Sequence, residues 1–232
     1  MSHTLLKRLE HRWRTYQMLH QPRRFWEKRL RDDFTLRGAG HPGLSLAENE
    51  TLYEAKRSVM TELLRRHAIE MAAARVLEVG FGSGFWTAFC HEQCVQDYTG
   101  IDITAVAPER LAPQFPMYRF AQADIVTDPL QESGPYDIVL CIDVCQHIAD
   151  PPDFRRALQA MRAATAHGGY LIITGWYLPG YSMHYGDVNW TRSDYEAVFP
   201  RQEWRDEVTF NDKVLLLLQK APSGAGEDFE KP

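Results

Sequence analysis

The chain has no apolar run approaching the roughly 18 residues needed to cross a bilayer. Its first residues, MSHTLLKRLEHRWR, have no apolar stretch ending in small residues such as a secretory leader carries. Cysteine is scarce, with four among 232 residues. Cys90, Cys94, Cys141 and Cys145 form two C-x3-C pairs with no CxxC turn. A metal centre is therefore not expected, and reduced thiols in the cytoplasm are. There is no internal repeat. The apolar fraction of 44% and charged fraction of 25% suit a globular chain long enough to bury one substantial core.

Charge is unevenly spread. Residues 1–31 hold nine Lys and Arg against two Glu, a balance of +7, whereas the rest of the chain holds 17 basic against 29 acidic residues, a balance of −12. The solvated faces of amphipathic helices account for such an arm without a nucleic acid. Leu5, Leu6, Leu9, Trp13, Tyr16 and Leu19, then Phe25, Trp26, Leu30 and Phe34, recur at helical spacing. They predict two helices in the first 37 residues, their aromatics serving as core. Arg37–Gly43 reads as a loop, and Ser45 opens a third helix, with Glu48 placed for a capping box. Residues 1–70 are thus expected to form a helical cap.

From Arg75 the pattern changes to short apolar strands separated by helices. Strands are expected at 75–79, 97–102, 117–123, 136–142 and 169–175, and helices at 83–93, 104–112 and 151–165. This alternation implies βαβ units and a parallel sheet covered on both faces. A loop rich in Gly, Tyr and Trp follows to residue 191, then a helix at 192–199. Strands at 202–210 and 213–220 are joined by Asn211-Asp212, short enough for an antiparallel hairpin. The expected architecture is α/β: a Rossmann-like, seven-stranded, mostly parallel sheet with a C-terminal antiparallel hairpin over residues 71–221, plus the N-terminal cap. Residues 222–232 read as a disordered tail.

The first strand breaks into VLEVGFGSGF, with glycine at 80, 82 and 84. Dinucleotide enzymes space this turn G-x-G-x-x-G for a pyrophosphate. Here the third glycine comes one residue early, which argues against a nicotinamide coenzyme. Tyr98-Thr-Gly-Ile-Asp102 ends the second strand in an acid able to accept from both hydroxyls of a ribose. Phe120-Ala-Gln-Ala-Asp124-Ile125 ends the third in another, placed for the amino group of a base.

With Tyr136–Asp143 and Gly168–Thr174, these motifs, in this order, resemble those of the class I S-adenosylmethionine-dependent methyltransferases over residues 73–220. The resemblance implies S-adenosylmethionine as cofactor. It implies that Glu78 orients the glycine turn or reaches the methionine ammonium through water, and that Gly80, Phe81, Gly82 and Gly84 lie against the cofactor. Asp102 would hold the ribose hydroxyls and Ile103 pack on the adenine. Asp124 would meet the adenine amino group beside Ile125, and the backbone at Ile142 the methionine part. Pro108 and Pro113 are expected to shorten the helix after Asp102.

The segment Ile142-Asp-Val-Cys-Gln-His147 resembles one branch of the same family. Histidine as a residue type titrates near neutrality, so His147 is a candidate base, with His184 as a second. Tyr53, Tyr185 and Trp190 are candidate walls of the acceptor pocket. The expected acceptor is a small molecule or glycan-like compound, methylated at a hydroxyl. The rivals are an amine acceptor, and a non-catalytic S-adenosylmethionine-binding or nucleic-acid-associated protein. A monomer and a homodimer are both compatible with the sequence.

Overall fold

The computed structural model describes residues 16–17, 20–41, 43–128, 130, 134–175, 182–184, 187–210 and 213–223, with backbone alone at 182–184 and 187. Its framework is a sheet of seven strands: β1 (Arg75–Val79), β2 (Asp97–Asp102), β3 (Arg119–Gln122), β4 (Tyr136–Cys141), β5 (Thr165–Gly175), β8 (Trp204–Phe210) and β9 (Lys213–Gln219). The order across the sheet is β3-β2-β1-β4-β5-β9-β8. The first five run parallel, and β9 is antiparallel to both β5 and β8. The winding reverses between β1 and β4, and a ligand in such a sheet sits beyond the carboxyl ends of the strands at that point.

The near-continuous apolar runs of β1, β4, β5 and β9 follow from burial on both faces. Leu77, Val139, Leu171 and Leu216 pack against Phe154, Leu158 and Met161 of helix α6 (Pro151–Ala164). Val76, Ile138, Ile172 and Leu217 face the other way. They pack against Met60, Leu63 and Leu64 of helix α3 (Leu46–Arg66), and against Trp86 and Phe89 of helix α4 (Phe85–Glu92). Helix α3 therefore belongs to the core of the sheet.

Local chemistry fixes the helix ends. Ser45 and Glu48 form the expected capping box at α3, with the Glu48 carboxylate accepting from the Ser45 backbone N–H at 2.7 Å. At α6 the Asp150 carboxylate accepts from the Asp153 N–H at 3.2 Å, ahead of a proline in the first turn. Helix α5 (Val106–Leu111) contains Pro108 in its first turn and ends two residues before Pro113. Proline is tolerated where the N–H has no intrahelical partner, so Pro108 does not break the helix and Pro113 bounds it. The expected loop 176–191 holds a two-stranded ribbon, β6 (Ser182–His184) with β7 (Asp187–Asn189), and helix α7 (Arg192–Glu196) follows.

Two shorter helices, α1 (Pro22–Asp32) and α2 (Leu36–Ala39), precede α3. The connection into α3 is held by Asn49, whose side chain is fully buried. Its amide accepts from the His41 N–H at 2.8 Å and donates to the carbonyls of His41, Leu44 and Ser45 at 3.0–3.3 Å. Replacing it by alanine strands several of these groups inside the protein. Asn49→Ala is expected to cost about 2–3 kcal/mol, read as a lower urea midpoint at unchanged m value.

Candidate active site

A cavity of about 240 Å³ opens at the carboxyl ends of β1, β2 and β4. Its wall comes from the glycine turn after β1 with the start of α4, the ends of β2 and β3, the segment after β4 with the start of α6, and helices α1 to α3.

The turn needs its glycines for two different reasons. Gly80 has φ of +76°, and a Cβ there would sit 2.3 Å from a Val144 methyl, so glycine lets the end of β1 lie against the segment after β4. Gly84 has φ of +90°, and a Cβ there would meet both Leu111 methyls at 2.8 Å. The third glycine thus serves the packing of α4 on α5, and it is absent from the cavity wall. Phe81 and Gly82 are on that wall.

Asp102 is clamped. One carboxylate oxygen accepts from the Gly82 N–H at 2.9 Å; the other accepts from the Thr104 N–H at 2.9 Å and its hydroxyl at 2.7 Å. The residue is 6% exposed, and burial pushes its carboxyl above the ordinary range against the pull of those donors. Glu27 of α1 contributes a further upward push. Its carboxylate accepts from the Ala105 N–H at 2.7 Å, joining the first helix to the start of α5. Asp124 lines the cavity two positions past β3, its carboxylate accepting from the Val126 N–H at 2.9 Å. Ile103, Ile125 and Ile142 line it as well.

His147 and Tyr53 also reach the wall. The His147 ring lies 4.8 Å from that of Trp26, centroid to centroid, and Trp26 carries the Arg29 guanidinium 4.9 Å over its face. Tyr53 is 7% exposed and sits edge-on to Phe85 at 5.0 Å. Burial and the charge of Asp143 push its phenol far up, so it stays protonated.

Besides Gly84, other expected site residues lie off the wall or beyond description. Trp190 is not on the cavity wall: it is 3% exposed, stacks on Phe154 of α6 at 4.1 Å and donates its ring N–H to the Cys145 carbonyl at 3.3 Å. A flat ring facing a helix groove buries more apolar area there than at the pocket rim. Tyr185 and the side chain of His184 fall outside the described residues.

Glu78 is also behind the wall. It is 2% exposed, and its carboxylate accepts from the Thr87 hydroxyl at 3.0 Å and the Tyr98 hydroxyl at 2.5 Å. It ties β1 to β2 and α4 beneath the glycine turn.

Several wall residues carried no signal in the sequence. Trp26 sat in a helical stripe that reads as core, and Trp86 in the first turn of a helix. Asp143, with φ of +60°, is bound by the ammonium groups of Lys56 from α3 and Lys213 from β9, the latter at 2.8 Å. Burial alone would raise its pKa, but Lys213 and Lys56 hold it well below the usual carboxylate range. Residues 56, 143 and 213 are far apart in the chain, and no local spacing links them. Among the described residues, no cluster of His, Cys, Asp and Glu suits a metal ion, and no helix is long and apolar enough to cross a membrane.

A family model described as a methyltransferase domain matches residues 46–211. The ubiquinone biosynthesis O-methyltransferase of Albidiferax ferrireducens is 28% identical over 96 residues. That stretch covers 39% of this chain and 38% of the relative, so the match spans about two fifths of that enzyme's length. Among solved structures, the N-methyltransferase NodS from Bradyrhizobium japonicum superposes with a TM-score of 0.56 at 19% identity, covering 72% of this chain and 97% of its own. CalS10, an amino pentose methyltransferase from Micromonospora echinaspora solved with S-adenosylmethionine bound, gives 0.58 at 16% identity, with 77% and 98% covered. At such identities the likeness is one of fold.

The buried Glu78 has a consequence for stability. Burial raises its carboxyl from 4.5 to about 7, with the Tyr98 and Thr87 hydrogen bonds opposing the rise. The folded state therefore binds a proton that the unfolded state has released, and stability falls as pH rises between those values. Glu78→Gln, neutral throughout, is expected to lack this slope. Its loss relative to wild type should shrink by about 2–3 kcal/mol between pH 4.5 and 8, measured by urea denaturation across that range.

Proposed function

From the chain's membership of the methyltransferase domain family, as a class I S-adenosylmethionine-dependent methyltransferase, we propose that it methylates a hydroxyl of a small-molecule or glycan-like acceptor. The observation that carries this reading is the clamped Asp102 carboxylate sharing a cavity wall with Asp124 and His147. Its free lone pairs suit the two hydroxyls of a ribose. Asp124 suits an exocyclic amino group, with Ile103 and Ile125 beside the base. These residues fit an adenosine, and the G-x-G-x-G turn leaves no pyrophosphate cradle.

S-adenosylmethionine supplies an electrophilic methyl group on a sulfonium, and transfer is an in-line displacement. The chain supplies alignment and a base. His147 takes the proton of the acceptor hydroxyl as the oxygen attacks. Trp26, packed on its ring, fixes its plane and shields it from water. Tyr53, Trp26 and the other apolar side chains of the cap form the acceptor's wall. The four cysteines are free thiols, which agrees with work in the cytoplasm.

Calorimetry tests the cofactor half of the proposal. S-adenosylhomocysteine is expected to bind and NAD not to, and Asp102→Ala to weaken the former about 100-fold, the cost of two hydrogen bonds to a charged group. Preference for NAD would overturn it. The catalytic half is tested by His147→Ala, which should retain S-adenosylhomocysteine affinity while turnover of a hydroxyl acceptor falls 10²–10⁴-fold, the usual range for a general base. Unchanged turnover would remove His147 from the chemistry and favour an amine acceptor.

A further inference from the structure

The roof of the cavity is poor in polar atoms. Pro22, Trp26 and Leu30 of α1, Leu36 and Ala39 of α2 and Tyr53 of α3 line it. Their only side-chain hydrogen-bonding groups are the Tyr53 hydroxyl and the Trp26 indole N–H. The segment after β4 gives the same wall Val144, Ile148 and Ala149, which add none.

The acids of the wall are engaged within the protein. Asp102 and Asp124 accept from backbone N–H groups at the strand ends, and Asp143 is bound by two ammonium groups. Asp150 caps α6, and Asp153 pairs with the Arg156 guanidinium. Among the described residues, the wall carries no Lys or Arg to hold an anion.

A guest under this roof therefore meets few polar partners. A sugar would bury several hydroxyls there, and each one left unpaired costs about 5- to 150-fold in affinity. A flat ring fares better. Trp26, Tyr53, Phe85 and His147 all reach the wall, in two touching pairs: Trp26 with His147 at 4.8 Å, and Tyr53 with Phe85 at 5.0 Å. Aromatic side chains offer another ring edge and offset contacts beyond the area they bury.

The chemistry points the same way. His147 packs on Trp26, so a hydroxyl within its reach lies beside α1. An imidazole, a base of near-neutral strength, must take the proton of that hydroxyl. A phenol ionises at about 10, as tyrosine does, whereas an aliphatic hydroxyl resembles water, at about 16. The smaller gap suits such a base far better.

We propose that the acceptor is a flat aromatic compound whose reacting group is a phenolic hydroxyl, and that the roof formed by α1, α2 and Tyr53 selects it over a sugar. This narrows the acceptor given above and rests on the readings of the cofactor and of His147 made there.

Calorimetry on the full chain saturated with S-adenosylhomocysteine tests the selection. 2-Naphthol is flat and phenolic, decahydro-2-naphthol keeps its outline and hydroxyl without aromatic rings, and methyl β-D-glucopyranoside is a sugar. 2-Naphthol is expected to bind, the saturated analogue about three- to tenfold more weakly, and the glucoside about 100-fold more weakly or less. Trp26→Ala and Leu36→Asp locate the binding: each should weaken 2-naphthol about tenfold or more and leave S-adenosylhomocysteine within about threefold. Leu36 is half-buried at the first position of α2, so Leu36→Asp serves even where thermal melts show Trp26→Ala to be poorly folded.

The proposal is overturned if 2-naphthol does not bind, if either other probe binds as tightly, or if neither variant weakens it. Transfer of a labelled methyl group from S-adenosylmethionine tests the phenol. 2-Naphthol is expected to react about 100-fold faster or more than 2-naphthalenemethanol, which carries an aliphatic hydroxyl on the same rings. Equal rates, or no transfer to bound 2-naphthol, would overturn the phenolic assignment. Should the wild type not take up S-adenosylhomocysteine, it is the cofactor reading that fails, and the same titrations on the free protein still decide what the roof selects.

Discussion

The site rests on one carboxylate and the three donors that hold it. Asp102 ends β2, Gly82 belongs to the turn after β1, and Thr104 leads into α5, so the side chain joins three pieces of backbone that meet at the reversal of the sheet. Burial makes the charge expensive, and the hydrogen bonds offset part of that cost. Because the donors are mostly backbone N–H groups, the carboxylate's position is set by the fold and not by a neighbouring side chain that could rotate away. The Glu27 carboxylate, arriving from α1 at the N-terminus of α5, repeats this device and attaches the cap to the same corner.

Much of this was legible along the chain because it is local. The strand ends, the glycine turn and the two acids after β2 and β3 are short-range patterns, and they fall where apolar runs stop. The capping box at Ser45 and Glu48 was readable for the same reason. The roles of individual members were less so. Gly80 and Gly84 are equivalent in the sequence, yet the first makes room for Val144 and the second for Leu111. Glu78 and Asp102 are both acids in apolar strands, and the pairing of Glu78 with Gly100 puts them on the same face of the sheet; what separates them is position, Glu78 lying inside β1 beneath the turn and Asp102 ending β2 at the cavity.

What escaped the sequence depends on contacts made across the fold. Trp190 and Trp26 look alike as aromatics in polar or helical surroundings, and only packing tells them apart: one is stacked on Phe154 in the core, the other faces His147. Lys56, Asp143 and Lys213 come from a helix, the end of one strand and the start of another. Helical periodicity around Lys56 reveals that α3 is amphipathic, and nothing more.

The wall of the cavity has two owners. Strand ends and the glycine turn build the part that suits a nucleoside, while Trp26, Leu36, Ala39 and Tyr53 of the first three helices roof the remainder. Substitutions under that roof leave the clamped acid untouched, because none of its three donors comes from there. A cavity divided in this way lets the roof, a stretch of about thirty residues from α1 to the first half of α3, change its side chains while the corner that holds Asp102 keeps its shape.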